Sequence, residues 1–148
     1  MSIKLCDKTV FFDNLEVENK NQFFEYVTNE LLKLERIENP QRILYKFDKR
    51  ENEVATFLGS HFAIPHLKSS KVLENTIVFA RLKNSIVWNK NNDKVKYIFA
   101  VLVKPSYENL HIDILMSISR NIIDKNKIDI LKRSSNVDDI LNIINTVY

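Results

Sequence analysis

The sequence is most constrained at Gly59-Ser60-His61-Phe62-Ala63-Ile64-Pro65-His66. This stretch holds the only glycine of the 148-residue chain, one of its three prolines and two of its three histidines. Glycine suits a backbone position of positive φ, whereas proline fixes its own φ and pushes the preceding residue toward extended geometry. The stretch therefore predicts a short strand that presents the imidazole of His66 from a stiffened backbone.

Two amphipathic helices are predicted before this stretch. The first has an apolar face at helical spacing, made of Phe23, Val27, Leu31 and Leu34. The second begins at Asn39-Pro40, because asparagine is a favoured N-cap and proline suits the first helical position. Its inward positions are Ile43, Leu44 and Phe47. Arg50 then falls near the C-terminal end of this helix.

Two nearly continuous apolar runs follow the stretch, at residues 76–80 and 97–103, with a polar turn at residues 89–94 between them. Such runs, rich in β-branched and aromatic residues, are typical of strands that are covered on both faces. Near the N-terminus, residues 3–12 are predicted to form an extended segment that leads into the domain.

Two further helices complete the pattern. Pro105 ends the second strand, and Ser106 is placed to cap a helix that carries His111 in its first turn. The inward stripe of this helix continues through Leu115, Ile118 and Ile122. The last helix is predicted to begin at a cap formed by Ser135 and Asp138. Its buried face is made of Val137, Ile140, Leu141 and Ile144. Strands and helices in this order predict an α/β domain, with a mixed β-sheet flanked by α-helices.

The composition indicates one ordinary globular domain over residues 1–148. Apolar residues make up 45% and charged residues 28% of the chain, and this length is enough to bury a core. The net charge of +3 is spread over scattered lysines, half of which sit beside Asp, Glu or Asn. That spacing favours a solvated mixed surface over a nucleic-acid-binding one, and we attach no function to the basic charge at this point.

Cysteine usage and hydropathy predict a cytoplasmic protein. Cys6 is the only cysteine, so the chain cannot form an internal disulfide, which suits a reducing compartment. The sequence also has no long uncharged apolar run and no signal-peptide segment at its N-terminus, so we expect no direct insertion into a membrane.

Several short motifs occur together along the chain. They are Arg50-Glu51, Thr56-Phe57-Leu58-Gly59, Phe62-Ala63-Ile64-Pro65-His66, Ile86-Val87-Trp88, and His111-Ile112 with Leu115. In this combination they resemble the Arg-Glu pair, the active-site signature, the short aromatic-ended segment and the second-histidine helix of the enzyme IIA (EIIA) domains of the bacterial sugar phosphotransferase system, fructose/mannitol type. The resemblance runs from the first helix to the C-terminus and implies the α/β fold of that family.

The candidate site residues suit phosphoryl transfer. A neutral imidazole, whose ordinary pKa is ~6.5, is a usable phosphoryl acceptor at cytoplasmic pH. We predict that His66 is this acceptor, that His111 orients and stabilises the phosphoryl group from a helix N-terminus, and that Arg50 balances its charge. The resemblance implies the same three roles at these positions. Taken singly, each residue has a plainer explanation, as a hydrogen-bonded histidine or as an arginine paired with Glu51.

The resemblance also implies the partners. Phospho-HPr would donate the phosphoryl group, and a cysteine of an enzyme IIB partner would accept it during sugar uptake, with no dissociable cofactor. Cys6 is not expected to be that acceptor, because no basic or glycine-rich loop follows it to lower its pKa. We predict instead that Cys6 is a small buried residue.

Three other functions are left open by the sequence. A regulatory EIIA-like protein, of the nitrogen type or similar, would use phosphorylation of His66 to control its binding to another protein. A metal site built from His61, His66 and His111 lacks the Cys, Asp or Glu ligands that usual spacings provide. A purely structural interaction protein would not be phosphorylated at all. His61 and His66 differ by an odd number of positions, so on a regular strand they would face opposite sides of the sheet. We therefore leave His61 out of the catalytic residues, and an influence of His61 on access to the site stays open.

Overall fold

The computed structural model of the chain describes residues 5–53, 55–105 and 110–145, without the side chains of residues 110–112. The described part contains a six-stranded mixed β-sheet and five α-helices. This arrangement confirms the α/β class with a mixed sheet that the sequence predicted. Ser106, the predicted cap of the third helix, lies outside the described residues.

The strands and helices have the following bounds. The strands are β1 Phe11–Leu15, β2 Phe57–Gly59, β3 Phe62–Ala63, β4 His66–Lys68, β5 Thr76–Val87 and β6 Lys94–Val103. The helices are α1 Lys20–Lys33, α2 Pro40–Glu53, α3 Leu110–Ile123, α4 Lys125–Arg133 and α5 Val137–Asn145, and a 3-10 turn spans Lys8–Val10. The extended segment predicted at residues 3–12 is therefore wrong at Lys8–Val10, which form the 3-10 turn, and correct at the start of β1.

The sheet is organised around β5 and β6. These two strands pair antiparallel, and the path across the sheet is β1-β5-β6-β3-β2, with β4 also pairing with β6. Both long strands are buried along most of their length, as the continuous apolar runs predicted. The strands β3 and β4 both run parallel to β6 and keep one register, in which each residue pairs with the β6 residue 35 positions further along. They therefore form a single line of strand that is interrupted at Ile64-Pro65.

The helices that precede the site agree with the sequence. The side chain of Asn39 accepts a hydrogen bond from the backbone N–H of Arg42 at 3.2 Å, so it caps α2 as expected. Ile43 and Phe47 are fully buried on the inner face of α2. The Asn39 cap therefore fixes where α2 begins, and the face of α2 opposite Ile43 and Phe47 is turned toward the solvent.

The C-terminal part differs from the sequence prediction in three respects. Helix α5 is capped by Asn136, whose side chain accepts from the N–H of Asp139 at 3.2 Å, and not by Ser135. Helix α4 was not predicted, although Asp124 caps it through the N–H groups of two later residues. In α3, Ile114 is fully buried, and Leu115 lies at the edge of the buried stripe. Helix α4 has only nine residues, most of them polar, and fully buries only Leu131, so its apolar face is too short to mark it clearly in the sequence.

Arg81 joins strand β5 to elements from both ends of the chain. It is 7% exposed and donates to both carboxylate oxygens of Asp13 in β1, at 2.8 and 2.7 Å. It also donates to the backbone carbonyl of Ser134, at 2.8 Å, where α4 ends. The paired carboxylate and the carbonyl together satisfy a guanidinium that would otherwise be costly to bury.

This pair predicts a specific acid sensitivity. The Arg81 hydrogen bonds lower the pKa of Asp13 below its ordinary 3.8, although partial burial opposes them. Because the folded pKa lies below the unfolded one, the stabilisation is present above pH 3.8 and is lost as the pH falls through the folded pKa. We expect Asp13→Asn to be less stable than wild type near neutral pH, and the gap in urea midpoint to shrink below about pH 4. A gap that stays constant with pH would contradict this assignment.

Candidate functional site

His66 is the first residue of β4, and its ring is held by the chain just before it. Its Nδ1 lies 2.8 Å from the carbonyl oxygen of Ile64. A carbonyl oxygen only accepts hydrogen bonds, so Nδ1 carries the proton in this contact. In the neutral ring the lone pair is then on Nε2, so this is the ring atom with a lone pair available for attack.

The interruption of the strand at Ile64-Pro65 makes this contact possible. Proline has no N–H to donate to the ladder, and the N–H of Ile64 donates to the carbonyl of Thr56 at 3.0 Å. Pairing with β6 resumes where the carbonyl of Pro65 accepts from the N–H of Val101 at 2.9 Å. The carbonyl oxygen of Ile64 can therefore accept the hydrogen bond from Nδ1 of His66.

The buried side chain of Glu51 holds the chain segment before His66 through hydrogen bonds. It is 4% exposed, and its carboxylate accepts from the backbone N–H of Thr56 at 3.1 Å and from the Thr56 hydroxyl. It also accepts from the indole N–H of Trp88 at 3.2 Å. A path of hydrogen bonds therefore runs from Glu51 through Thr56 and Ile64 to the ring of His66. Three of the separate sequence motifs meet at this one carboxylate.

A cleft of about 520 Å³ lies beside His66. It is lined by α2, β4 and α3, through Arg42, Tyr45, Lys46, Lys49, Arg50, Glu53, His66, Leu67, Lys68 and Leu115. The structure thus brings His66 and Arg50 to one cavity, as the sequence analysis proposed for the site. The lining includes five cationic side chains and one carboxylate, which makes the cleft electropositive.

The third predicted residue, His111, is the second residue of α3, within the first turn as predicted. Its side chain lies outside the described part of the structure. Leu115, which is one turn further along α3, lines the cleft. Helix α3 therefore contributes to the lining of the cleft through Leu115.

His61 is located elsewhere, in the turn between β2 and β3. Gly59, Ser60 and His61 all have positive φ, at 86°, 51° and 67°, so the turn uses the left-handed region three times in succession. The exposed ring of His61 has its Nδ1 3.2 Å from the carbonyl of Lys94, and it does not line the cleft. A Cβ at Gly59 would meet no atom within 4 Å, so a lack of space is not the reason for glycine at this position. The reason is its positive φ, which residues with a Cβ rarely adopt.

The cationic residues around the cleft were not found from the sequence, which indicated scattered lysines. The rim consists of Arg42, Lys46, Lys49 and Lys68, in addition to Arg50. A readable pattern was present, because residues 42, 46, 49 and 53 recur at helical spacing and share one face of α2. The pKa of Lys46 is lowered by burial and by the neighbouring charges of Arg42 and Lys49.

Cys6 is fully buried, as predicted, and the pKa of its thiol is raised to about 12 by burial and by the nearby charge of Asp7. Its backbone is held by the side chain of Asn145. Among the described residues, no group of three or more His, Cys, Asp or Glu side chains is arranged to hold a metal ion. Within the same residues, every helix is too short or too polar to span a bilayer.

Comparison with known sequences gives one family and several relatives. The family described as "Phosphoenolpyruvate-dependent sugar phosphotransferase system, EIIA 2" matches residues 4–147. Multiphosphoryl transfer protein 1 of Escherichia coli K12 is 25% identical over 142 residues, which cover 96% of this chain and 17% of that protein. The chain therefore spans less than a fifth of the length of this curated relative.

Two solved structures share the fold. The nitrogen regulatory protein IIA-Ntr from Neisseria meningitidis superposes with a TM-score of 0.84 at 22% identity, and covers 95% of this chain and 96% of its own. Enzyme IIAMTL of Escherichia coli, solved in complex with phosphorylated enzyme IIBMTL, superposes with a TM-score of 0.76 at 19% identity, with 94% and 96% coverage.

Proposed function

Because the chain belongs to the EIIA 2 family of the phosphoenolpyruvate-dependent sugar phosphotransferase system, as its motifs predicted, we propose that it is a phosphocarrier in which His66 accepts a phosphoryl group from phospho-HPr and passes it to a cysteine of an enzyme IIB partner. The observation that carries this proposal is the hydrogen bond from Nδ1 of His66 to the carbonyl of Ile64. It leaves the lone pair of the neutral ring on Nε2, beside a cationic cleft.

In the first step, the Nε2 lone pair of His66 attacks the phosphorus of the donor's phosphohistidine. A new N–P bond forms at Nε2, the donor's N–P bond breaks, and its electron pair returns to the donor's ring nitrogen. The protein contributes position and electrostatic stabilisation in such transfers, because the transition state spreads its charge over the phosphoryl oxygens. The hydrogen bond to Ile64 holds the imidazole of His66 in one orientation and so positions Nε2 for the attack.

In the second step, a cysteine thiolate of the partner attacks the phosphorus. An S–P bond forms, the N–P bond to His66 breaks, and the electron pair returns to Nε2. This assignment of the acceptor to another chain or domain is supported by the burial of Cys6, the only cysteine here, which no phosphohistidine could reach. The complex of enzyme IIAMTL with phosphorylated enzyme IIBMTL has a subunit of the same fold as this chain.

Arg50 and His111 are proposed to stabilise the phosphoryl group on His66. Arg50 lines the same cleft and provides a planar, permanently charged donor. For His111 the support is its position in the first turn of α3 and the presence of Leu115, one turn later, in the cleft lining. We propose that the chain acts as a single EIIA domain in the cytoplasm, where the lone thiol of Cys6 would stay reduced.

The direct test is to incubate the wild-type protein with phosphoenolpyruvate, enzyme I and HPr and to measure its intact mass. We expect one added phosphate that is stable in base and labile in acid, the behaviour of a phosphohistidine. Arg50→Gln and His111→Ala proteins should be phosphorylated about 10- to 100-fold more slowly, since each loses one stabilising group. If the wild type gains no phosphate from its own HPr or from a general HPr, the proposed function is wrong.

A second incubation separates the carrier from the regulatory EIIA-like alternative. Phosphorylated protein is mixed with an enzyme IIB from the same organism, and the amount of phosphate on each of the two proteins is measured over time. Transfer to the IIB cysteine within seconds is the expected result. Phosphate that stays on His66 in the presence of every IIB of that cell would favour the regulatory function.

A further inference from the structure

The cleft beside His66 is large compared with the group that the protein is proposed to carry there. Its volume is about 520 Å³, which lies within the range of small-molecule sites, roughly 300 to 1,000 Å³. A phosphoryl group has one phosphorus and only three oxygens besides its link to the ring, so it would occupy a small part of this space. The cleft therefore has room for a whole small molecule that contains a phosphoryl group and its leaving group.

The charge of the lining favours an anionic molecule. Five of the ten lining residues are cationic, and they are contributed by α2 and β4. Among the described lining residues, Glu53 is the single carboxylate. Cations that line a concave site concentrate anions in it and stabilise charge that develops on phosphoryl oxygens. A small phosphate compound is therefore the class of ligand that fits both the size and the charge of the cleft.

Lys46 is held in the cleft in a way that suits such a ligand. Its ammonium group donates to the carbonyl oxygen of Lys68 at 3.0 Å, which ties this side chain of α2 to β4. Partial burial and the neighbouring charges of Arg42 and Lys49 lower its pKa. An anion bound beside Lys46 would offset this repulsion, and an ammonium group has three N–H donors, so it can bind a ligand while it keeps the contact with Lys68.

The kind of phosphate compound follows from the group that must leave. When Nε2 of His66 attacks the phosphorus, the leaving group takes the electron pair of the bond that breaks. An alkoxide needs a proton from a general acid, whereas a carboxylate, whose conjugate acid has a pKa of ~4, leaves without one. Nucleoside triphosphates react as Mg²⁺ complexes that carboxylates help to hold, and the described lining offers only Glu53. Acyl phosphates, the mixed anhydrides of carboxylic and phosphoric acids, therefore fit best.

We propose that the cleft binds small acyl phosphates and that His66 takes the phosphoryl group from them directly, without HPr. The inference rests on the proposed function, because it uses the same nucleophile. An N–P bond forms at Nε2, the P–O bond to the acyl oxygen breaks, and its electron pair stays on the released carboxylate. The proton on Nδ1 stays on the ring during this exchange, held by the carbonyl of Ile64. Arg42 and Lys46 bind the donor in the cleft.

The test incubates the wild-type protein with acetyl phosphate, in the absence of enzyme I and HPr, and follows acid-labile phosphate by intact mass. We expect one phosphate per chain. The rate should saturate at about millimolar donor, the affinity that a few charge-assisted contacts give. Arg42→Gln with Lys46→Gln should lower the rate at low donor concentration about tenfold and the saturated rate much less, because these residues bind the donor and do not attack it.

Two controls separate the cleft from the ordinary reactivity of an imidazole. His61 is exposed and does not line the cleft, so its phosphorylation in the same protein measures that ordinary reactivity. Mapping of the phosphate should show His66 modified at least about tenfold faster than His61. Lys8→Gln with Lys125→Gln removes two exposed cations outside the cleft and should leave the rate within about twofold of wild type. Thermal unfolding shows whether a slow variant is simply unfolded.

The outcomes keep the two proposals apart. Phosphate from phospho-HPr but none from acetyl phosphate overturns this inference alone. Equal rates on His66 and His61, or a rate that neither saturates nor depends on Arg42 and Lys46, also overturn it, since the cleft then contributes nothing. An acid-stable acetyl group on Lys46 in place of phosphate on His66 overturns it as well. Phosphate on His66 from acetyl phosphate, with none from phospho-HPr, supports the inference and overturns the proposed donor.

Discussion

A His66→Ala protein is expected to gain no acid-labile phosphate under conditions in which wild type is fully modified. The contact of Nδ1 with the Ile64 carbonyl leaves the lone pair of the neutral His66 ring on Nε2, and His66 lines the cleft. The substitution removes the proposed attacking imidazole, and loss of a nucleophile lowers a transfer rate by at least about a thousandfold. Intact mass after incubation with phosphoenolpyruvate, enzyme I and HPr measures the effect.

The matched control for this variant is His61→Ala. Its side chain lies in the turn before β3, contacts the Lys94 carbonyl and does not line the cleft. We expect this protein to gain one phosphate at a rate within about threefold of wild type, as for a surface substitution away from the site. Phosphate on the His66→Ala protein, or its loss from the His61→Ala protein, would place the acceptor at a different residue.

Replacement of Glu51 by leucine is expected to give the largest loss of stability, roughly 3 kcal/mol in the free energy of unfolding. Leucine removes the acceptor of three donors, the N–H and hydroxyl of Thr56 and the indole N–H of Trp88. These groups lie in the interior, so each loses a partner that water does not replace. Urea denaturation followed by tryptophan fluorescence measures the change.

Glutamine at position 51 is the control that separates the hydrogen bonds from the charge. Its amide oxygen can accept from both N–H groups, and its NH2 group can donate to the hydroxyl of Thr56. Glu51→Gln should therefore keep more than half of the stability that Glu51→Leu loses. If the leucine variant were as stable as the glutamine variant, the Glu51 contacts would not hold this region together.

The same pair of variants tests whether Glu51 positions the nucleophile. The path from Glu51 to His66 passes through the backbone of Thr56 and Ile64. In folded Glu51→Leu protein, kept below its unfolding transition, we expect slower phosphorylation and a changed nitrogen NMR signature of the His66 ring. Glu51→Gln should restore both, because it preserves the hydrogen bond to the Thr56 backbone.

The sequence predicted the early helices and the constrained backbone just before His66, because these depend on local constraints. The Asn39 cap fixes the start of α2, and Pro65 fixes where the strand is interrupted. The meeting of Glu51 with Trp88, in contrast, joins residues 37 positions apart and depends on tertiary packing. The sequence placed both residues in recognised motifs but gave no reason for them to touch.

The basic cleft was missed for a different reason. Along the chain its cations alternate with other residue types and form no long run of like charge, whereas around the axis of α2 they lie together. On that axis Arg42, Lys46 and Lys49 share one face, whereas Asp48 lies on another. Helix α4 was missed because it is short and polar, and the cap of α5 was placed one residue early because Ser135 and Asn136 are both favoured N-caps.

The shared register of β3 and β4 limits how this region can change in evolution. From Phe62 to His66 the chain keeps a constant pairing with β6, even across the interruption. Side chains alternate between the two faces of a sheet, so one residue gained or lost between Ala63 and His66 would move the imidazole to the opposite face. Point substitutions in this segment can be tolerated, but its length cannot change by one. Length variation is instead expected in the polar turn between β5 and β6, which has no role in the cleft.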